Sequence, residues 1–351
     1  MNTHLGGFAW PGFERLRPLH RMKRLGRTQP YRGPDGSILP GSIAEVRYLR
    51  LGGIDQWVML RGESISNPPL ILLHGGPGMP ESGLFRHFNA PLEKHFTLVY
   101  WDQRGAGKSF SPTIPRASMT VEQLIADLDE LVEYVRRRLS QDRVVIYGHS
   151  WGSALGVLYA ARFPEKVAVY VGSGQIGDSA AAESASYAFA LAKAERRHDR
   201  TAVRKLRAIG PPPYGARKVF TERMQLSRLD RDEAASSGWT MWRALLGRPE
   251  SSILDLPNIV RGFWFSLQAM WTETSALNLR KLAPTLRMPV FFLLGRKDHW
   301  VPPETSVAYF EALSAPAKKL IFFERAGHEV FVDEPDAFNT AMVQLVRPAV
   351  A

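Results

Sequence analysis

A serine with glycine two positions to either side, Gly148-His149-Ser150-Trp151-Gly152, is the residue pattern here with the most chemistry in it. The apolar run Val144–Tyr147 precedes it. A helical pattern follows from Ser150 to Phe163, with Leu155, Leu158 and Tyr159 on one face and Pro164 as its stop. A serine on such a strand-to-helix turn exposes its Oγ, and the small residues around it let the backbone pass closely. The helix N-terminus behind it favours developing negative charge. A hydroxyl is a poor nucleophile near neutral pH and needs a base held by an acid. In this strand–turn–helix context the chain order is nucleophile, acid, histidine. Asp298 follows the run Val290–Leu294 and His328 follows Leu320–Phe323, so both fall at strand ends after Ser150.

The other titratable residues nearby fit supporting roles. His74 and His149 belong to tight glycine loops, where a structural hydrogen bond is the expected use, and His299 neighbours the acid itself. Asp102 precedes the serine and reads as a loop organiser; Asp178, just past Val167–Val171, stays open as an alternative acid. An oxyanion needs two backbone N–H groups aimed at one point. Trp151 supplies one. The loop His74-Gly75-Gly76-Pro77-Gly78 supplies the other, with Gly76 first and Gly75 second. The segment Asp102–Ser109 (DQRGAGKS) looks like a phosphate loop but fails G-x-x-x-x-G-K-[ST], leaving Asp102 and Arg104 as braces. No H-E-x-x-H spacing occurs, so no metal is expected, and this chemistry calls for no cofactor.

These residues need a scaffold, and the pattern of runs supplies one. Val46–Leu51 and Gln56–Arg61 alternate around Gly52-Gly53 as an antiparallel hairpin. Leu70–Leu73, Thr97–Trp101, Val144–Tyr147, Val167–Val171, Val290–Leu294 and Leu320–Phe323 are short and almost wholly apolar, as strands buried on both faces are. Between them, Thr120 caps a helix with Gln123 completing a capping box, and Leu124, Leu128, Leu131, Val135 and Leu139 mark its apolar face. Pro335 to Val346 forms a terminal helix. This alternation predicts an α/β fold with a mostly parallel, doubly wound sheet. It breaks between 176 and 282, where Ala180–Ala194 is helical and Pro211-Pro212-Pro213 is rigid. Trp239, Trp242, Phe263, Trp264, Phe265 and Trp271 also cluster there. The expected organisation is a basic arm over 1–42, a core over 43–175 and 283–351, and an inserted helical cap over 176–282.

The chain has 351 residues, 45% of them hydrophobic, no cysteine and a net charge of +11. The missing cysteine removes disulfides, thiolate metal sites and a thiol nucleophile together. The charge is unevenly placed: +5 in 1–42 and +6 in 176–282, against +1 in 43–175 and −1 in 283–351. A nucleic-acid binder spreads its basic stripe over the folded body, so no nucleic-acid partner is expected. The arm mixes Phe8, Trp10 and Phe13 with arginines and lacks the continuous apolar stretch of a secretory signal. An arm lying over the body and an anionic-surface arm are its two readings. No apolar run of about 18 residues occurs, and a soluble, cytoplasmic protein is expected.

Taken together, His74–Gly78 (HGGPG), Asp102–Ser109 (DQRGAGKS) and Gly148–Ser153 (GHSWGS) resemble the prolyl aminopeptidase (proline iminopeptidase, peptidase family S33) branch of the α/β-hydrolases. The resemblance covers about 45–175 and 285–340. It implies the α/β-hydrolase fold, Ser150 as nucleophile with Asp298 and His328, and Gly76 and Trp151 as oxyanion donors. It also implies cleavage of an N-terminal residue from a short peptide. Two departures stand out: His149 occupies a position where the family usually has glycine, and the family's cap glutamates are replaced. In the W-x-x-W-E pattern, Trp239-Thr240-Met241-Trp242 is followed by Arg243, and a second glutamate falls near Arg261. A guanidinium repels an ammonium group and attracts a carboxylate. If Arg243 and Arg261 face the pocket, with Trp239, Trp242 and Trp264 as aromatic contacts, a small acidic ester, lactone or amide is the expected substrate. If they face solvent, the peptidase reading stands. A non-catalytic binding protein on the same scaffold is the remaining alternative.

Overall fold

The computed structural model describes residues 25–230, 250 and 252–350. Eight strands form one sheet: β1 (Ile43–Leu51), β2 (Ile54–Gly62), β3 (Pro69–Leu73), β4 (Thr97–Trp101), β5 (Val144–His149), β6 (Val167–Ser173), β7 (Val290–Gly295) and β8 (Lys318–Phe323). Their spatial order is β1-β2-β4-β3-β5-β6-β7-β8. β1 and β2 are antiparallel, β2 runs antiparallel to β4, and all later pairs are parallel. Gly52 and Gly53 both have positive φ, 53° and 78°, so the first hairpin closes in two residues with the twist its strands require.

The α-helices of seven or more residues among the described residues are α1 (Ser82–Asn89), α2 (Val121–Leu139), α3 (Trp151–Arg162), α4 (Ser179–Arg196), α5 (Arg200–Ile209), α6 (Ala216–Leu229), α7 (Leu256–Thr274), α8 (Pro303–Ala312) and α9 (Pro335–Ala341). Side chains alternate between the two sheet faces. Ile71 and Leu73 join Leu128, Val132 and Leu155 on one side; Leu70 and Leu72 join Phe85, Phe331 and Phe338 on the other. Helices α4–α7 lie between β6 and β7 in the chain and share a core of their own. Ala190 and Ala194 let α5 and α6 approach α4, while Leu206, Val219, Leu226 and Leu267 fill the space.

The Thr120 side chain accepts the Gln123 N–H at 3.1 Å, as expected. The reciprocal half of the capping box does not form, because the Gln123 amide reaches forward to Asp127 at 2.9 Å. A buried carboxylate offers it a stronger, charge-assisted acceptor.

Candidate active site

β5 runs directly into Ser150, whose φ of 53° and ψ of −122° are unusual for a residue with a side chain. The surroundings hold it there. The Ser150 N–H donates to Ser173 O at 2.9 Å, and Ser150 O accepts from the Ser153 N–H (2.9 Å) and hydroxyl (2.6 Å). The flanking glycines are sterically required: a Cβ on Gly148 would stand 2.4 Å from Gly152 O, and one on Gly152 only 2.0 Å from Leu73 O.

His328 is buried in the loop after β8, and its Nδ1 lies 2.8 Å from Asp298 Oδ2. The other carboxylate oxygen, Oδ1, accepts the Trp300 and Val301 N–H groups, both at 2.9 Å. Asp298 is thereby fixed by two backbone donors before it meets the imidazole. The His328 ring lies between the Trp300 indole (5.4 Å between centroids, 23° between planes) and the His149 ring (4.7 Å, 50°). Gly174 sits against its edge: a Cβ there would be 2.8 Å from Cε1 and 3.1 Å from Nδ1, at a φ of +50°. Because Ser173 O binds the Ser150 N–H and Gly174 seats the His328 ring, serine and histidine flank the same end of β6.

Gly174→Ala is expected to displace the imidazole while leaving the sheet intact. The left-handed conformation costs about 1–2 kcal/mol for alanine. A shift of the ring by about 1 Å is expected to lower kcat about 100-fold. Ester-hydrolysis kinetics beside a thermal melt would check this; a normal kcat would show that the ring tolerates the contact.

The glycine loop after β3 meets the same point. A Cβ on Gly75 would lie 3.1 Å from Ser150 Cβ. Its N–H already donates to Glu81 Oε1 at 3.0 Å, which leaves Gly76 as the donor to consider from this loop. His74 braces the loop: Nδ1 meets Gly75 O at 2.9 Å, and Nε2 accepts the Gln103 N–H at 3.1 Å. Gln103 in turn accepts from the Trp151 indole at 3.1 Å. Burial holds His74 below its ordinary value, which suits a neutral ring with one donor and one acceptor nitrogen. His149 Nδ1 lies 2.8 Å from Glu81 Oε1, and its Nε2 lies 3.1 Å from the carbonyl of His328.

Asp178, the alternative acid, caps α4 by accepting the Ala181 N–H at 3.1 Å and accepts from Asn278 at 2.5 Å. The histidine is met by Asp298. The Asp102–Ser109 segment is architectural. Asp102 Oδ2 accepts the Lys108 N–H at 2.9 Å, and Arg104 pairs with Asp127 at 2.7 Å. Burial lifts Asp102 to about 6, against the pull of the Lys108 N–H and ammonium.

Helix α7 lies on these loops. A Cβ on Gly78 would meet Ser266 Cβ at 2.6 Å, one on Gly262 would meet Gly105 O at 2.6 Å, and the Ser266 hydroxyl donates to Gly105 O at 3.2 Å. Arg261 is exposed on this helix, its guanidinium 5.8 Å from the Phe110 centroid. Gly262 and Ser266 hold the face of α7 that meets the loops, and Arg261 lies beside that face over Phe110. Trp264 packs on Phe220 (4.6 Å) and Phe263 (5.8 Å) within the inserted helices. Trp239, Trp242 and Arg243 lie outside the described residues.

Several neighbours of the site carry no local sequence signal. Phe189 of α4 stacks on His299 at 3.6 Å, and Arg223 of α6 lies 5.7 Å from the Trp300 centroid. Arg223 Nη1 donates to Glu222 at 2.5 Å, and Nη2 donates to Glu183. Burial raises Glu183 to about 7; Arg223 opposes the rise and Glu222 adds to it. Only the third dimension brings these three beside the acid loop.

A mostly parallel eight-stranded sheet, with a strained serine between strand and helix and an Asp–His pair at later strand ends, is that of an α/β-hydrolase. The family described as alpha/beta hydrolase fold matches residues 68–205. The chain is 29% identical over 309 residues to a probable aminopeptidase, YbaC, of Bacillus subtilis, covering 87% of this chain and 97% of that protein. It is 27% identical over 318 residues to a proline iminopeptidase of Neisseria meningitidis, covering 86% and 94%. A solved proline iminopeptidase from Mycobacterium smegmatis superposes with a TM-score of 0.64 at 17% identity, covering 87% and 99%. The chain is thus a hydrolase of the α/β-hydrolase fold that resembles the proline iminopeptidases.

Among the described residues, no helix is long and apolar enough to cross a membrane, and no group of three or more His, Asp or Glu side chains could hold a metal ion.

Proposed function

We propose that the chain is a serine hydrolase acting through Ser150, His328 and Asp298 by way of an acyl-enzyme. Ser150 Oγ attacks the substrate carbonyl as His328 Nε2 takes its proton. Asp298 keeps the other imidazole proton on Nδ1 and stabilises the imidazolium. The Trp151 and Gly76 N–H groups hold the oxyanion. The tetrahedral intermediate collapses as His328 returns the proton to the leaving amine or alcohol, and a water activated by the same histidine then frees the acid. The 2.8 Å Asp298–His328 contact at the end of β6 that also anchors Ser150 carries this reading.

The substrate proposed is a small amide bearing a free amino group, as in cleavage of an N-terminal residue. The relatives' names support this, and so does the charge near the base. Two carboxyl groups, Glu222 and the raised Glu183, face the single guanidinium of Arg223, and Glu183 Oε2 is buried with no hydrogen-bond partner among the described residues. An ammonium group would satisfy it, whereas an anionic acyl group would be repelled. The acidic-substrate reading rests on Arg243 and on Arg261, which is exposed over Phe110. Cleavage of a simple ester is the second reading, since the same machinery serves both leaving groups.

The test compares a proline anilide, a short-chain nitrophenyl ester and an acidic acyl ester, with Ser150→Ala as control. Turnover of the anilide and ester, absent in the control, is expected. In Glu183→Gln, kcat/KM for the anilide should fall about 10-fold or more, with little change for the ester. Preference for the acidic ester would overturn the amine reading. Failure of Ser150 to label with a fluorophosphonate would overturn the mechanism.

A further inference from the structure

Three segments must hold their places for the proposed reaction: the glycine loop after β3, the turn carrying Ser150, and the loop carrying His328. One buried pair touches all three. Glu81 Oε1 accepts the Gly75 N–H at 3.0 Å and meets His149 Nδ1 at 2.8 Å. His149 precedes Ser150 in the chain, and its Nε2 meets the His328 carbonyl at 3.1 Å. Both residues are buried, Glu81 at 8% and His149 at 2% exposure.

The hydrogen bonds and the electrostatics of the pair together set its ionic state. A carbonyl oxygen only accepts, so His149 Nε2 must carry a proton. Glu81 is held below its ordinary value and is ionised near neutral pH, and an ionised carboxylate only accepts, so Nδ1 carries a proton too. A ring that donates from both nitrogens is an imidazolium. Both bonds are then charge-assisted and of the strong kind. From this geometry we infer that Glu81 and His149 form a clamp charged at neutral pH, a pair of positioning residues that hold the oxyanion loop and the catalytic base in register with Ser150. Neither touches substrate; each acts through a neighbour. The inference rests on the serine-hydrolase reading above.

The titratable groups facing His149 are Glu81 before α1, His74 after β3, and His328 and Glu329 after β8; Phe331 packs on it at 5.2 Å. Burial works against the charged ring, but the Glu81 carboxylate and its hydrogen bond more than offset it, so His149 is pushed up to about 9. Burial pushes Glu81 up, but the His149 charge and hydrogen bond, with His74 and the Gly75 N–H, together hold it below its ordinary 4.5. The sign follows. The clamp is complete below the ring's ordinary 6.5, weakens as pH rises through about 9, and loses Glu81 only well on the acid side.

The test uses the full chain and a nitrophenyl ester. Glu81→Gln and His149→Gln are each expected to lower kcat about 30- to 100-fold with KM changed less than about threefold, since positioning and not binding is lost. The wild-type rate should fall above about pH 9, and the residual rate of His149→Gln should lack that limb. Nitrogen-15 spectra of the wild-type protein at pH 7 should show both His149 nitrogens protonated, a readout that does not depend on the variants folding. A neutral His149 in those spectra would overturn the inference, as would folded variants with kcat and pH profile like wild type. The two levels separate cleanly. Wild-type protein that does not label at Ser150 defeats the hydrolase reading. Labelled wild-type protein with indifferent variants defeats only the clamp.

Discussion

Asp298→Asn is expected to lower kcat about 10⁴-fold while leaving the fold and substrate binding almost unchanged. The reason lies in the two oxygens of Asp298. Oδ1 accepts the Trp300 and Val301 N–H groups, both at 2.9 Å, and only an oxygen can stay there. Asparagine must therefore turn its amide NH₂ toward His328 Nδ1, where Oδ2 now stands at 2.8 Å. An NH₂ group donates, so Nδ1 must accept and the single imidazole proton moves to Nε2. A base already protonated on the nitrogen facing the nucleophile cannot take its proton. Steady-state kinetics on the nitrophenyl ester check this, with a melt showing that the protein is folded. A loss under about 10-fold would mean that Asp298 is not the residue setting the tautomer, and the proposed relay would fail. Asp298→Ala, which leaves Nδ1 free to choose its partner, should be no worse than Asp298→Asn. That ordering separates a tautomer effect from lost packing.

Much of the sheet was legible because burial on both faces writes itself as continuous apolar runs. Thr97–Trp101 matches its strand residue for residue, and β3 and β5–β8 differ from their runs only by a residue or two at the ends. The places of Ser150, Asp298 and His328 after strand ends were legible because the apolar runs before them end where the strands do, within a residue or two. Contacts made across long sequence separations were not. Glu81 and His149 are 68 positions apart, and nothing near either announces the other. The second oxyanion choice, Gly75, failed for the same reason, its N–H being taken by Glu81. Gly174 looks like any glycine after a strand until the His328 ring is laid against it. The arginine argument depended on which way α7 faces. The contacts of Gly262 and Ser266 fix that rotation, which no local pattern encodes.

The phosphate-loop look-alike leads to the largest expected change in stability. Asp127, on α2, receives Arg104 Nε at 2.7 Å and Nη2 at 2.9 Å, Gln56 at 2.6 Å and Gln123 at 2.9 Å. The Arg104 and Asp127 side chains are 1% and 0% exposed. Arg104 also donates to Gly52 O at 2.7 Å, so one pair ties the first hairpin, the loop after β4 and α2 together. Removing one partner leaves a guanidinium buried without its counter-charge, a loss of about 3–5 kcal/mol. Against a total stability of about 5–15 kcal/mol, that is a large fraction. Asp127→Ala should therefore melt roughly 4–7 °C lower, as read by circular dichroism. Replacing both partners, Arg104→Met with Asp127→Leu, should recover much of the loss, because the penalty comes from the stranded charge and not from the missing bond. The same double variant sharpens the point about DQRGAGKS. If the segment only shapes the wall beside Ser150, the recovered protein should keep most of its hydrolytic rate. A recovered fold with the rate still lost would assign Arg104 a part in catalysis that its burial beneath the loop argues against.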